Sequence, residues 1–151
     1  MASIEAHLLF EMDMQMTGAQ VVGVVPDGLR DIVTVQGSFE GQALKGTIES
    51  GADWGRLRSD NTPEMDARMT LKTDDGETIY LHYTGLGEIP DAALKAAKPG
   101  DIPGGVWKLT VAMRFETASK KYAMLNRIQG IGIGSADVSK GTVSYKVYTP
   151  A

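Results

Sequence analysis

The stretch His7-Leu8-Leu9-Phe10-Glu11-Met12-Asp13-Met14-Gln15-Met16 carries an apolar side chain at every second position from Leu8 to Met16. His7, Glu11, Asp13 and Gln15 fall between them. Successive side chains of a strand point to opposite faces, so this spacing predicts a strand with one buried face. Helical spacing would not separate the two sets in this way. Further β-like runs follow at Gln20–Val25, Asp31–Phe39, Ala43–Ser50, Asp66–Thr73, Thr78–Thr84, Val106–Glu116, Arg127–Gly134 and Thr142–Tyr148. Turn chemistry separates them: Pro26-Asp27-Gly28 and Asp74-Asp75-Gly76 are strong turn signals, and Gly18, Gly41 and Lys140-Gly141 punctuate the rest. So many short strands with regular turns predict an all-β sandwich or barrel, and closure into a barrel removes the exposed edges that invite aggregation.

Two stretches leave this pattern. Asp91–Lys98 combines helix formers behind an Asp and stops at Pro99-Gly100. Ala118–Leu125 predicts one or two helical turns, with Thr117 or Ser119 as the cap. No repeat, low-complexity tract or linker divides the chain, which reads as one domain over residues 1–151.

The totals narrow the chemistry. A chain of 151 residues with 42% hydrophobic and 23% charged residues can bury a sizeable core without staples. Net charge is −4 with the signs mixed, so there is no basic footprint for nucleic acid. The absence of cysteine removes disulfides, thiolate nucleophiles and Cys-based metal sites, and with only His7 and His82 a zinc site is disfavoured. No apolar run approaches a membrane span and Met1–His7 lacks the pattern of a secretion signal, so the expected location is cytoplasmic. The expected partner is a small-molecule substrate or ligand, without nucleic acid or membrane; a homo-oligomer is left open. No dinucleotide fingerprint is present, and Gly130, Gly132 and Gly134 lack the strand–loop–helix context and lysine of a phosphate loop. The expected cofactor is none and the expected metal is none. Alternating Gly and Ile there fits a crowded barrel wall.

Several motifs in order carry a family resemblance: Gly37–Gly41 (GSFEG), Leu44–Trp54 (LKGTIESGADW), Glu64–Tyr80 (EMDARMTLKTDDGETIY), Arg114–Ile128 (RFETASKKYAMLNRI), Gly130–Gly134 (GIGIG) and the closing Tyr145–Tyr148 (YKVY). Together they resemble the domain of unknown function 3237 family (DUF3237, UPF0311-like proteins). The resemblance implies an antiparallel up-and-down β-barrel of the calycin or allene-oxide-cyclase-like kind. Met124 departs from it, standing where the family often has Trp, so the aromatic side chain that the family pattern implies at that point is missing.

Candidate site residues come in groups. Asp53 and Trp54 follow a strand: they either orient a substrate at a barrel mouth or cap a turn and close the core. Asp66, Arg68 and Thr70 share one strand face and Met65, Ala67, Met69 and Leu71 the other. The charged face either meets solvent or turns inward, where Asp66 serves as general acid or base and Arg68 holds an oxyanion. Arg114 and Glu116 repeat that ambiguity. Tyr122 and Asn126, four apart, either converge on a substrate carbonyl or tie a helical plug to the rim. His82 reads as a surface or lining residue. The expected catalytic set is Asp66, Arg68 and Tyr122, with Asp53, Trp54, Arg114 and Asn126 binding substrate, all around one cavity. The functional expectation is a cofactor-independent lyase, isomerase, cyclase or hydratase acting on a small organic acid, phenolic or polyketide-like substrate. The alternative is a non-catalytic binding or carrier barrel for a small apolar ligand.

Overall fold

A computed structural model describes residues 1–151. Eight long strands form a closed antiparallel barrel: β1 (Ala6–Val25), β2 (Gly28–Glu40), β3 (Lys45–Asp53), β5 (Pro63–Thr73), β6 (Thr78–Glu88), β7 (Val106–Glu116), β8 (Gly130–Asp137) and β9 (Thr142–Pro150). A two-residue strand, β4 (Arg56–Leu57), bridges β2 and β5 beside the mouth. Neighbours in sequence are neighbours in the sheet, and pairing of β1 with both β2 and β9 closes the ring. Helix is confined to α1 (Asp91–Ala96) and a 3-10 turn at Ala123–Arg127. No helix is long and apolar enough to cross a membrane.

The period-2 face of β1 behaves as its pattern requires: Phe10, Met12 and Met14 are buried while Glu11 and Asp13 are exposed. Leu8 is a correction. The register against β9 slips between Leu8 and Phe10, so Leu8 is turned out to solvent. A classic-length strand pair tolerates such an extra residue as a bulge that changes the phase of everything beyond it. A second slip between Met16 and Gly18 carries β1 onward. Gly18 therefore follows a bulge at Thr17 and is not a turn, and Gln20–Val25 continues β1 instead of forming a strand of its own. The second helical prediction also shifts, because the 3-10 turn begins at Ala123, five residues later than expected.

The barrel has two unlike ends. At one, the β2–β3 and β5–β6 turns and the β7–β8 connection close over a core in which Phe10 meets Phe39 and Phe115 edge-on, with ring centroids 5.5 and 6.0 Å apart. Edge-to-face geometry matches the ring quadrupoles. At the other end, the β1–β2, β3–β5, β6–β7 and β8–β9 connections surround an open mouth. The glycines of β8 create the room inside. A Cβ on Gly132 would lie 2.7 Å from Val111 Cγ2 and 2.8 Å from Met113 Cε, so only glycine lets those neighbours and Tyr145 share the axis.

Candidate functional site

The lumen below the open mouth holds a cavity of about 270 Å³. Its size lies near the lower end of small-molecule sites, roughly 300–1,000 Å³. The wall is mainly aliphatic and aromatic, from Met14, Val33, Val35, Trp107, Leu109 and Val143 among others. Four polar groups interrupt it: Asp31, Asp53, Tyr83 and Tyr145, with Arg56 and Glu64 at the rim.

Strand phase explains how two carboxylates came inside. Leu29, Asp31, Val33 and Val35 occupy alternate positions of β2, so Asp31 inherits the inward direction of its apolar neighbours. On β3 the register slips between Ile48 and Ser50, and this bulge puts Asp53 opposite inward-facing Ala67. The Asp53 Oδ1 accepts a hydrogen bond from the backbone N–H of Asp66 at 2.9 Å. Burial pushes the Asp53 carboxyl up to about 6, opposed by that hydrogen bond and reinforced by the charges of Asp31 and Asp66. Burial raises Asp31 as well, against the pull of the Arg30 guanidinium. A buried acid titrating near neutrality is poised to take and return protons.

The two phenols lie deeper. The Tyr83 and Tyr145 rings meet edge-on with centroids 5.5 Å apart. Burial drives both hydroxyls above their ordinary range, so both stay protonated, and the charge of Asp53 adds to the effect. The two hydroxyls approach closely enough to shift each other's ionisation, but not in good hydrogen-bond geometry, which leaves the buried Tyr145 Oη without a well-formed partner. An unpaired buried hydroxyl costs about 1–3 kcal/mol, and a ligand acceptor would recover it.

The expected residues do not share this cavity. Asp53 alone lines it. Asp66 and Arg68 stand on the outer wall, because Met65, Ala67, Met69 and Leu71 take the inward phase of β5. There Asp66 Oδ1 is 3.0 Å from His82 Nε2 and 3.8 Å from Arg68 Nη1. Arg114 is paired with His82 on the same outer face and is exposed. The inward reading of these charges is thereby corrected: their strands are one-sided, with the apolar set facing the core. Trp54 is 40% exposed and borders a polar groove outside the barrel with Arg30, Asp66 and Leu86. Its carbonyl accepts from Arg30 Nη1 at 2.6 Å.

Tyr122 and Asn126 belong to the closed end. The Tyr122 hydroxyl lies 3.0 Å from both oxygens of Asp75, which Lys121 also meets at 2.7 Å. Asn126 accepts from the Thr117 N–H at 2.8 Å and donates to the Thr117 carbonyl at 2.9 Å. Of the two readings, tying a plug to the rim is the one this geometry fits. Met124 is exposed, so no aromatic there could have walled the lumen. The polar groups inside that sequence reasoning passed over are Asp31, Tyr83 and Tyr145; Asp31 alone left a signal, as the single acid on an apolar period-2 face.

Residues 5–149 match the family described as protein of unknown function (DUF3237). The chain belongs to the DUF3237 family. Among related DUF3237 chains, a UPF0311 protein of Clostridium acetobutylicum is 35% identical over 94 residues, which is 60% of this chain and 56% of that protein. The matched part therefore spans little more than half of that relative. A UPF0311 protein of Rhodopseudomonas palustris is 26% identical over 137 residues, 89% of this chain and 88% of that one. Among solved structures, a β-barrel-like protein of Acinetobacter baumannii superposes with a TM-score of 0.82 at 31% identity, covering 99% of this chain and 98% of that one. A structure described as an enzyme from Penicillium herquei superposes with a TM-score of 0.72 at 20% identity, covering 99% and 96%, a likeness of fold alone. These likenesses agree with the antiparallel barrel that this DUF3237 chain forms.

Proposed function

We propose that the chain is a cofactor-independent acid–base enzyme whose working group is Asp53, acting on a small phenolic or polyketide-like molecule held in the lumen. The observation that carries this reading is the placement of a carboxyl titrating near 6 in an apolar cavity, beside a second acid and an unpartnered phenol. Lyase, isomerase, cyclase and hydratase reactions on such substrates share one elementary step, proton transfer at carbon or oxygen conjugated to a carbonyl. In the carbon case the Asp53 carboxylate takes the proton from the carbon beside the carbonyl, and the C–H electron pair moves to give an enolate. The Tyr145 hydroxyl donates to the enolate oxygen, and protonated Asp53 returns the proton to the carbon framework. Donors preorganised in a dry site stabilise such developing charge more than water does. The Asp66 backbone N–H fixes which Asp53 oxygen is free to work.

The enzyme-described Penicillium neighbour is compatible with catalysis in this fold. The mainly apolar wall favours the second reading, a carrier for a small apolar ligand. Deuterium exchange separates them. In D2O, 2-tetralone, an uncharged bicyclic ketone, is incubated with the protein and its α-hydrogens are followed by proton NMR. Exchange faster than buffer that is lost in Asp53→Asn supports the enzyme. No acceleration, or acceleration unchanged by the substitution, supports the carrier.

A further inference from the structure

The charge inventory of the lumen bears on what it admits. Its carboxylates are Asp31 and Asp53, with Glu64 at the rim, and its one cation is Arg56. That guanidinium is partly engaged: Nη2 lies 2.7 Å from Glu64 Oε2 and Nη1 lies 3.6 Å from Asp27 Oδ2, while Nε is buried without a partner. No lysine or histidine lines the cavity. An anionic ligand would be desolvated against two acids, and the one guanidinium near it is already shared with Glu64 and Asp27, an expensive arrangement.

Gly55 marks the place between those acids. A methyl group on it would lie 3.2 Å from Asp31 Oδ1 and 3.7 Å from Asp53 Oδ1. With hydrogen there instead, Asp31 Oδ1, the Glu64 carbonyl and the Asp53 carboxyl, whose Oδ1 also accepts from the Asp66 N–H, border one small opening on the cavity wall, which suits a donor from a ligand. Deeper in the same cavity the Tyr145 Oη has no partner and needs an acceptor. A hydroxyl can meet either need, because its oxygen donates one hydrogen bond and accepts others. An ammonium group donates but cannot accept, and a carboxylate accepts but cannot donate.

We propose that the lumen selects uncharged ligands bearing a hydroxyl over carboxylates and amines, with Gly55 holding open the donor notch between Asp31 and Asp53 and Tyr145 supplying the complementary donor. The inference rests on the lumen being the functional site and narrows its substrate class, setting organic acids aside. Gly55 is a specificity-determining position and not a catalytic residue.

Calorimetric titration of the full chain at mildly alkaline pH with four bicyclic probes tests it: 2-naphthol, naphthalene, 2-naphthoate and 2-naphthylmethylammonium. The expected order places 2-naphthol at least roughly ten-fold tighter than the other three. Gly55→Ala and Tyr145→Phe should each erase most of that preference while naphthalene binding survives, and thermal melts confirm that both variants fold. Equal affinity for 2-naphthol and naphthalene overturns the selectivity but leaves the lumen as a binding site. Preference for 2-naphthoate or the ammonium probe overturns it likewise. Failure of all four to bind removes the lumenal site itself, and the enzyme reading with it.

Discussion

The backbone N–H of Asp66 donates to Oδ1 of Asp53 at 2.9 Å, although the two side chains lie on opposite sides of the barrel wall. Asp66 reaches outward to His82, and Asp53 reaches into the lumen. The link holds the inner carboxyl in place through main chain alone, so the outer side chain can change without displacing it.

The first prediction concerns pH and stability. Asp53 titrates near 6 when folded against 3.8 for an ordinary aspartate. A folded acid with a raised value gains stability only while protonated: below about pH 4 both states are protonated, and stability falls as pH rises through this window to about 6. Asp53→Asn removes the penalty and can still accept from the Asp66 N–H. It should raise stability at neutral pH by roughly 1–3 kcal/mol and have little effect near pH 4. Chemical denaturation at both pH values measures this; equal effects at the two would contradict it.

On the outer wall, Asp66→Asn, Arg68→Ala and Arg114→Ala should each change stability by less than about 1 kcal/mol, since exposed ion pairs contribute little. Tetralone exchange should persist in all three. Loss of exchange in Arg68→Ala, which does not line the lumenal cavity, would return function to the outer face.

The closed end should behave as structure only. Asn126→Ala removes two hydrogen bonds to Thr117 and should cost about 1–2 kcal/mol. Tyr122→Phe removes the bond to Asp75 and should lower the Tm by a few degrees. Lys121, Thr73 and Tyr122 together hold Asp75 well below the usual carboxylate range, so their contribution is present above an ordinary aspartate value and is lost as acid protonates it. Ligand affinity in the lumen should not change in either variant.

Gly132→Ala tests the crowding of β8. Its Cβ would press on Val111 and Met113, and overpacking of this kind costs about 1–3 kcal/mol. Urea denaturation reads the loss; a neutral result would mean that Met113 yields freely.

Much of the barrel was legible because its strands are one-sided. Phe10-Met12-Met14 and Met65-Ala67-Met69-Leu71 state their inner face outright. What escaped depends on single-residue slips. The extra residue on β3 between Ile48 and Ser50 turns Asp53 inward, and no local pattern announces a bulge. Asp31 was readable in principle from its apolar neighbours Leu29, Val33 and Val35. Tyr83 and Tyr145 share inward faces with Leu81 and with Val143 and Val147, so as sequence they are indistinguishable from core. Asp66 and Arg68 drew attention because charge is conspicuous, yet a solvated charged face is the ordinary use of such residues.

The most direct test of a lumenal acid–base site is a carbon-13 NMR titration of the Asp53 carboxyl in the folded protein, alone and with 2-naphthol. A midpoint about 6 that moves when the ligand binds, and a signal missing from Asp53→Asn, is the expected result. A midpoint near the ordinary 3.8 that ignores the ligand would contradict the assignment of Asp53 and of the lumen.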